Sequence, residues 1–305
     1  MTKKSFVYAL LSVLFVSFIV FANLAGAIDV SSCGTLSLSG TYVLTKNVSS
    51  TGTCFKITAN DVTVDCDGYS VSYVNPDSSG GKDGHAFDVI GVDGTIVENC
   101  VISRPTLYGS GNNHAFYVIN SSNGTFQDNV VLTACGGASG FYLVSSSYNN
   151  ILNNKITTLR SDDLSPGIQL LSSSHNNIAN NNITAAAGRG VYLNSSPYNA
   201  LSGNDVYTPK EQSYVLEGGT QASYDNAIDD TNYAEGYPVN YTFNANDAIV
   251  AQNIPANTYG QIICGWCDNV TYDDVTMGGD GINLFNTANS RVTNSNINTN
   301  VGESI

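Results

Sequence analysis

Charge is scarce in this 305-residue chain, and basic charge is scarcest: 11 Lys and Arg stand against 25 Asp and Glu, for a formal net charge of −14. Phosphate backbones are held by clustered Lys and Arg, so the composition speaks against a nucleic-acid partner. Long apolar runs are also missing after the first two dozen residues, which leaves the remainder without a membrane span. Helical spacing of apolar residues is absent too. What the chain does have is 42% apolar content, enough to bury a sizeable core, together with an abundance of Asn, Ser and Thr. An acidic surface of this kind suits solubility outside the cell.

The N-terminus says where the chain works. Lys3 and Lys4 precede an apolar run over residues 6–21, and Ala25, Gly26 and Ala27 place small residues at a signal-peptidase site. Residues 1–27 therefore read as a signal peptide cleaved after Ala27, and the mature chain as exported. An uncleaved anchor is the alternative, although the run is shorter than the roughly 20 residues of a spanning helix. Sequons at Asn47, Asn120, Asn123, Asn182, Asn194, Asn240 and Asn269 are potential glycan acceptors.

The body of the sequence repeats. AFYVINSSNGTFQDNVV (115–131), GFYLVSSSYNNILNNKI (140–156), GIQLLSSSHNNIANNNI (167–183), GVYLNSSPYNALSGNDV (190–206) and GINLFNTANSRVTNSNI (281–297) are copies of one unit. Weaker copies begin near Cys54, Ala86, Ser213 and Gln261, with one degenerate copy expected inside the irregular stretch 208–260. Successive starts at this spacing signal a solenoid. Within the copies, Phe116 and Val118, Phe141 and Leu143, Ile168 and Leu170, and Val191 and Leu193 alternate with polar residues, the period of a strand with one buried face. A second apolar pair, such as Phe126 and Val131 or Ile151 and Ile156, is interrupted by a bend. Each copy thus reads as strand, turn, strand, turn, and only stacking in parallel lets such rungs enclose a core. The fold expected is all-β, a parallel β-helix of about ten rungs.

At one repeated bend stand Asn99, Asn129, Asn154, Asn181 and Asn204, with Asp67 at the same place in the first rung. An asparagine there tolerates the left-handed conformation, and its amide can bond its equivalents above and below. This predicts an asparagine ladder, with most of the other Asn and Ser as exposed turn residues. Cys33 and Cys54 bracket residues 28–53, expected to cap the N-terminal end with a disulfide, while Cys66, Cys100 and Cys135 could compete. The CGWC at Cys264 to Cys267 has redox spacing but no helix N-terminus to lower a thiol pKa.

The repeat form GIxL…S…N.I.NN.I, the segment GTCFKITANDVTVDCDGYSV (52–71) and the segment CDNVTYDDVTMGGDGINLFNTANSRVTNSNI (267–297) resemble the repeats of exported right-handed parallel β-helix proteins. That group is described as NosD-like, or as carbohydrate-binding and sugar-hydrolase domains. The resemblance covers roughly residues 30–305 and implies a right-handed β-helix. It spans polysaccharide-active enzymes, surface proteins and the accessory protein of copper-site assembly in nitrous oxide reductase, so it leaves the function open.

Residues must decide between these. Polygalacturonases of this fold resemble one another through an Asn-Thr-Asp segment, an Asp pair, Gly-His-Gly and Arg-Ile-Lys. This chain has only Asp pairs, at Asp162 and Asp163, Asp229 and Asp230, and Asp273 and Asp274. Lyases of this fold would want Ca²⁺ and a basic residue in a groove. Asp162 and Asp163 flanked by Arg160 and Arg189 could serve, without a recognised calcium motif. Copper selects thioether and imidazole ligands, yet there are two Met and three His. His85 and His114 precede successive strands at one position and, with Asp83, could hold a metal. Finally, Tyr117, Tyr142 and Tyr192 point outward between buried neighbours, with Lys56, Asp88, Gln169 and Asn283 at the same phase. Such a tyrosine ridge suits contact with sugars. The preferred expectation is an exported binding or structural module for extracellular polysaccharide or another cell-envelope component, with no resident cofactor. A polysaccharide lyase or hydrolase is the runner-up, and a NosD-like metal-site accessory protein the third reading. The ending NTNVGESI, with no closing element, suggests that more rungs follow in the native product.

Overall fold

The computed structural model describes residues 26–73, 84–104, 113–134, 136–159 and 165–299. They form a right-handed parallel β-solenoid of about ten turns, almost without helix. Each rung of its main body has three strands rather than two, because the bend inside the second apolar pair separates two strands. In one rung, Phe116–Ile119, Thr125–Gln127 and Val130–Thr133 follow one another, with Phe126 and Val131 on different strands. Stacking these rungs gives three sheets. Sheet I has eight strands, from Gly34–Leu36 to Tyr214–Glu217. Sheet II runs from Ile28–Val30 to Ala227–Ile228, and sheet III starts at Val48–Ser50. Residues 28–53 already contribute strands to all three sheets.

Alternation decides which side chains enter the core. Phe116, Val118, Phe141 and Leu143 are wholly buried, whereas Tyr117 and Tyr142 between them are half-exposed. Exact register, with Phe116 paired to Phe87 and to Phe141, stacks like on like. The rings of Phe55, Phe87, Phe116 and Phe141 follow one another at 5.4, 5.3 and 4.3 Å. Such offset stacking adds to the large apolar area each ring removes from water.

Polar ladders close the corners. Asn129, Asn154, Asn181 and Asn204 are at most 1% exposed. Each carboxamide oxygen accepts the backbone N–H of the rung below, as in Asn129 N to Asn154 Oδ1 at 3.0 Å, and each amide donates onward, as in Asn154 Nδ2 to Asn181 Oδ1 at 3.0 Å. The ladder extends upward to Asn232. Downward it stops at Cys100, whose N–H donates to Asn129 Oδ1. Asn99 does not belong to it: Val97, not Ile96, pairs with Phe126, which shifts the phase by one and puts Cys100 in the ladder position. Asn99 is exposed, and its side-chain amide donates to Asp65 Oδ1. Asp67 is likewise exposed, and its N–H donates to that same Asp65 oxygen. Cys100 instead bridges to Cys66. The left-handed residue is the one before the ladder position, namely Asn99 before Cys100, and Asp128, Asn153, Asn180 and Gly203 before the asparagines.

Two further ladders line the turn between sheets I and II, against the expectation of exposed side chains there. Ser121, Ser146, Ser173 and Ser196 accept successive backbone N–H groups, and so do Asn149, Asn176, Asn199 and Asn226. All are buried.

The stretch 208–260 holds a reversal. Tyr233–Ala234 pairs in parallel with the rung before it, but Tyr237–Phe243 runs antiparallel to it. From there Tyr237–Phe243, Gln261–Gly265 and Gly281–Phe285 stack in parallel, and Ile249–Ile254, Thr271–Met277 and Arg291–Thr293 form a separate sheet. This second, smaller coil has its own core of Ile262, Cys264, Val270, Tyr272, Val275 and Ile282. The strand Gln261–Gly265 is buried throughout, because Ile263 packs into the first core while Ile262 and Cys264 pack into the second. Gln261 completes the join by bonding both the N–H and the C=O of Tyr214 through its side chain.

Candidate functional site

The outer surface of sheet I concentrates the side chains that are neither core nor ladder. His85 and His114 sit just before the strands Phe87–Ile90 and Phe116–Ile119, and the register places them one rung apart. Their rings are parallel, 5.6 Å between centroids. Tyrosines from the next rung slot beside them: Tyr117 lies 4.4 Å from His85, and Tyr142 lies 4.2 Å from His114. Tyr117 and Tyr142 stack on each other at 5.7 Å. The four rings are mutually parallel to within 8°. Because the ring faces cover one another, what this stack turns outward is tyrosine edges and hydroxyls.

Burial sets the electrostatics. The histidines are 3% and 2% exposed. Burial, with a smaller push from the Arg104 charge, lowers His85 to about 4 despite a backbone hydrogen bond that opposes the shift. Burial and the neighbouring His85 hold His114 well below the usual imidazole range. Both are neutral at pH 7. Burial and the adjacent Tyr117 phenol raise Tyr142, so it keeps its proton. Asp88, at the outward phase, is nevertheless buried: Thr53 Oγ1 donates to its Oδ2 at 3.3 Å, and its Oδ1 lies 3.9 Å from His85 Nε2. Gln169, above Tyr142, accepts the Ser139 hydroxyl.

Tyr192 continues the column but in a different setting. It is only 8% exposed; its hydroxyl donates to Glu217 Oε2 at 2.5 Å and accepts from Asn194 Nδ2. Arg189 covers its ring at 4.5 Å and pairs with Glu217 Oε1 at 3.2 Å. Arg189 is thus engaged within this cluster. Its expected companions Arg160, Asp162 and Asp163 lie outside the described residues, as do Asp83 and Cys135. Cys33 and Cys54 form a disulfide, and so do Cys264 and Cys267, both of the latter buried.

Sequence reasoning missed Arg104 and Asp280. Arg104 occupies an inward phase two residues after Ile102, a charged residue where the alternation calls for an apolar one. Asp280 has only the weaker signal of a Gly-Gly-Asp-Gly turn. Its carboxylate is buried, accepts the Ser213 N–H, and is pushed to about 7 by burial.

Fold, disulfides and site define an exported parallel β-helix protein whose polar aromatic face lies on one sheet. Residues 37–261 match the family of NosD, periplasmic copper-binding protein, and the chain belongs to that family. It works outside the cytoplasm, and no helix among the described residues is long and apolar enough to cross a membrane. Comparison with curated proteins finds no match. Among solved structures the chain is similar to the enzymatically active domain of tailspike protein 2 of bacteriophage CBA120, at 12% identity and TM-score 0.40. It spans 90% of this chain but 47%, about half, of that one. It is also similar to the A-module of the Azotobacter vinelandii mannuronan C-5 epimerase AlgE4, at 13% identity, TM-score 0.39 and 91% of each chain.

Copper in the family description calls for a donor set, and the described residues do not make one. Imidazole lone pairs lie in the ring plane, so two parallel stacked rings direct theirs alongside each other rather than onto one ion. His114 Nδ1 already accepts the Ser139 N–H at 3.0 Å. Six cysteines are in disulfides, and Met277 is buried in the second core. No group of three His, Cys, Asp or Glu converges among the described residues.

Proposed function

We propose that this protein is an extracytoplasmic polysaccharide-binding module whose contact surface is the outer face of sheet I around Tyr117, Tyr142 and Gln169. The observation that carries this reading is the interleaved ring stack. Tyrosine hydroxyls recur on successive rungs, roughly 4.8 Å apart, and their rings are clamped by His85 and His114 rather than free to turn. A surface whose side chains are ordered beforehand binds without the cost of ordering them. A repeating polymer is the natural partner of a repeating row of hydroxyl and amide groups.

The polymer this face suits is neutral and rich in hydroxyls. The chain carries a net charge of −14, which repels polyanions at a distance. On this face the Arg189 guanidinium is already neutralised by Glu217. Contact runs through hydroxyls and ring edges, since the ring faces are occupied.

Affinity electrophoresis through gels containing neutral and acidic polysaccharides tests the reading. Retardation is expected in a neutral glycan and is reduced in Tyr117→Ala and Tyr142→Ala. New reducing ends or unsaturated products after prolonged incubation would replace binding by catalysis, the lyase or hydrolase reading. Equal mobility in every gel would remove the proposal.

A further inference from the structure

The reversal of the chain beyond sheet II leaves a cleft of about 250 Å³, lined by Ile228, Asp230, Val239, Asn240, Tyr241 and Tyr259. Ala227–Ile228 is the last strand of that sheet. Past it the chain turns back at Glu235 and Gly236, and Tyr237–Phe243 begins the second coil instead of extending sheet II. Ile228, Val239 and Tyr241 pack with the first core and Tyr259 with the second, so the cleft lies between the two. Boundaries between separately packed units are favoured places for small-ligand sites.

The polar groups around this cleft are uncommitted. Asp229 and Asp230 are a pair in the sequence, but the structure divides them. Asp229 Oδ1 accepts the Thr231 N–H at 3.1 Å, the Thr231 hydroxyl at 2.5 Å and Asn232 Nδ2 at 3.2 Å, which ties the turn to the end of the asparagine ladder. Asp230 is exposed and lines the cleft. Among the described residues no hydrogen bond holds its carboxylate, the Asn240 carboxamide or the Tyr259 hydroxyl. Backbone groups join them. Ala227 N donates to Asn199 O and Asp229 N to Leu201 O, so the N–H and C=O of Ile228 between them point the other way, into the gap that a further strand would fill. Ile228 is 7% exposed, and backbone groups at so buried a residue call for a partner. The Tyr241 hydroxyl donates to Tyr224 O, which fixes one ring of the lining in place.

We infer that this cleft is a second binding site, for one neutral sugar ring. Tyr241, Tyr259 and Val239 offer aromatic and apolar surface to the C–H face of a pyranose. A carboxylate, a carboxamide, a phenol and the edge N–H and C=O of Ile228 serve its hydroxyls as acceptors and donors. Asp230 is the one charged residue among the described residues of the lining, and a negative charge without a Lys or Arg beside it disfavours an acidic sugar. At about 250 Å³ the space falls below the roughly 300–1,000 Å³ of sites for larger ligands, which limits it to one ring rather than a stretch of polymer. The cleft is separate from the tyrosine row of sheet I and does not rest on the reading of that row.

Saturation-transfer difference NMR on the full exported chain is the test, with the methyl pyranosides of glucose, galactose, mannose and N-acetylglucosamine as neutral probes beside glucuronate and glucosamine. At least one neutral pyranoside should take up saturation from the protein, and Asp230→Ala/Tyr259→Ala should weaken its binding by about tenfold. Should that double variant fail to fold, Asp230→Ala alone decides in its place, since the residue is exposed and has no hydrogen bond to lose. Tyr117→Ala/Tyr142→Ala should bind the pyranoside as the wild type does, so that failure of the sheet I reading and failure of this site are told apart. Saturation of none of the neutral pyranosides, or of glucuronate or glucosamine alone, overturns the proposal. Unchanged binding in the cleft variant, or a loss found in the sheet I variant instead, overturns it as well.

Discussion

Replacing Asn154 with Ala cuts the asparagine ladder at its middle. The wild-type carboxamide accepts from Asn129 N at 3.0 Å and from Asn129 Nδ2 at 3.1 Å, and donates to Phe126 O at 2.9 Å and to Asn181 Oδ1 at 3.0 Å. With Ala, the Asn129 N–H loses its acceptor, while Phe126 O and Asn181 Oδ1 each lose a donor. Asn129 Nδ2 keeps Val97 O, and the Asn154 N–H keeps Asn181 Oδ1. One stranded donor at about 1–3 kcal/mol, plus the partial loss at two acceptors, gives about 2–4 kcal/mol of destabilisation. Asn99→Ala is the matched control: one exposed bond is lost, and a left-handed backbone passes from Asn to Ala, for about 1 kcal/mol. Urea unfolding followed by circular dichroism, at unchanged m-value, measures both. A cost for Asn154→Ala below about 1 kcal/mol, or one equal to that of Asn99→Ala, would refute the assignment of the ladder as an internal support.

Phe116→Ala should cost about 3–5 kcal/mol by the same measurement, since the ring is wholly buried between Phe87 and Phe141. A pH series should expose two opposed groups. Asp280 is raised from 3.8 to about 7 by burial, so its contribution is complete below pH ~4 and is lost as pH rises through 7, on the order of 4 kcal/mol in all. Asp280→Asn should remove that loss, and an unchanged profile would contradict the burial argument. His85 is lowered from 6.5 to about 4, so its contribution is present above pH 6.5 and is lost as pH falls toward 4; His85→Asn should reduce the acid loss of stability.

The repeat made the fold legible because a solenoid writes the same instruction many times. Phe116, Phe141, Ile168 and Val191 announce one inward position, and the shared turn residues fix the register. The phase failed where the repeat is weakest: at Asn99, the Cys66 to Cys100 bridge replaces the ladder residue and only pairing distinguishes Val97 from Ile96. The serine ladder and the second asparagine ladder were hidden because a buried turn and an exposed one use the same residues. The reversal at 234–237 has no periodic signature; it is a two-residue hairpin at Glu235 and Gly236, both at positive φ, that pairs Tyr233 with Pro238 and Ala234 with Tyr237. Within the site, the outward phase of Tyr117 and Tyr142 was readable, and so was the common position of His85 and His114. Their interleaving was not, because it depends on side-chain angles across rungs. Arg104 carried a readable signal, a charge at a core phase, and its full enclosure is visible only in the structure.

The most direct test of the central claim is the dissociation constant of the wild type for the neutral polysaccharide that retards it most, measured by titration calorimetry beside Tyr117→Ala/Tyr142→Ala and Tyr148→Ala/Tyr198→Ala. Tyr148 and Tyr198 are exposed tyrosines that flank His175 in the turn between sheets I and II, the first stacked on it and the second tilted, so their removal takes away aromatic surface without touching sheet I. At least tenfold weaker binding is expected for the sheet I variant, about 1.4 kcal/mol, with the turn variant unchanged. Unchanged affinity in the sheet I variant, or a loss confined to the turn variant, would contradict it.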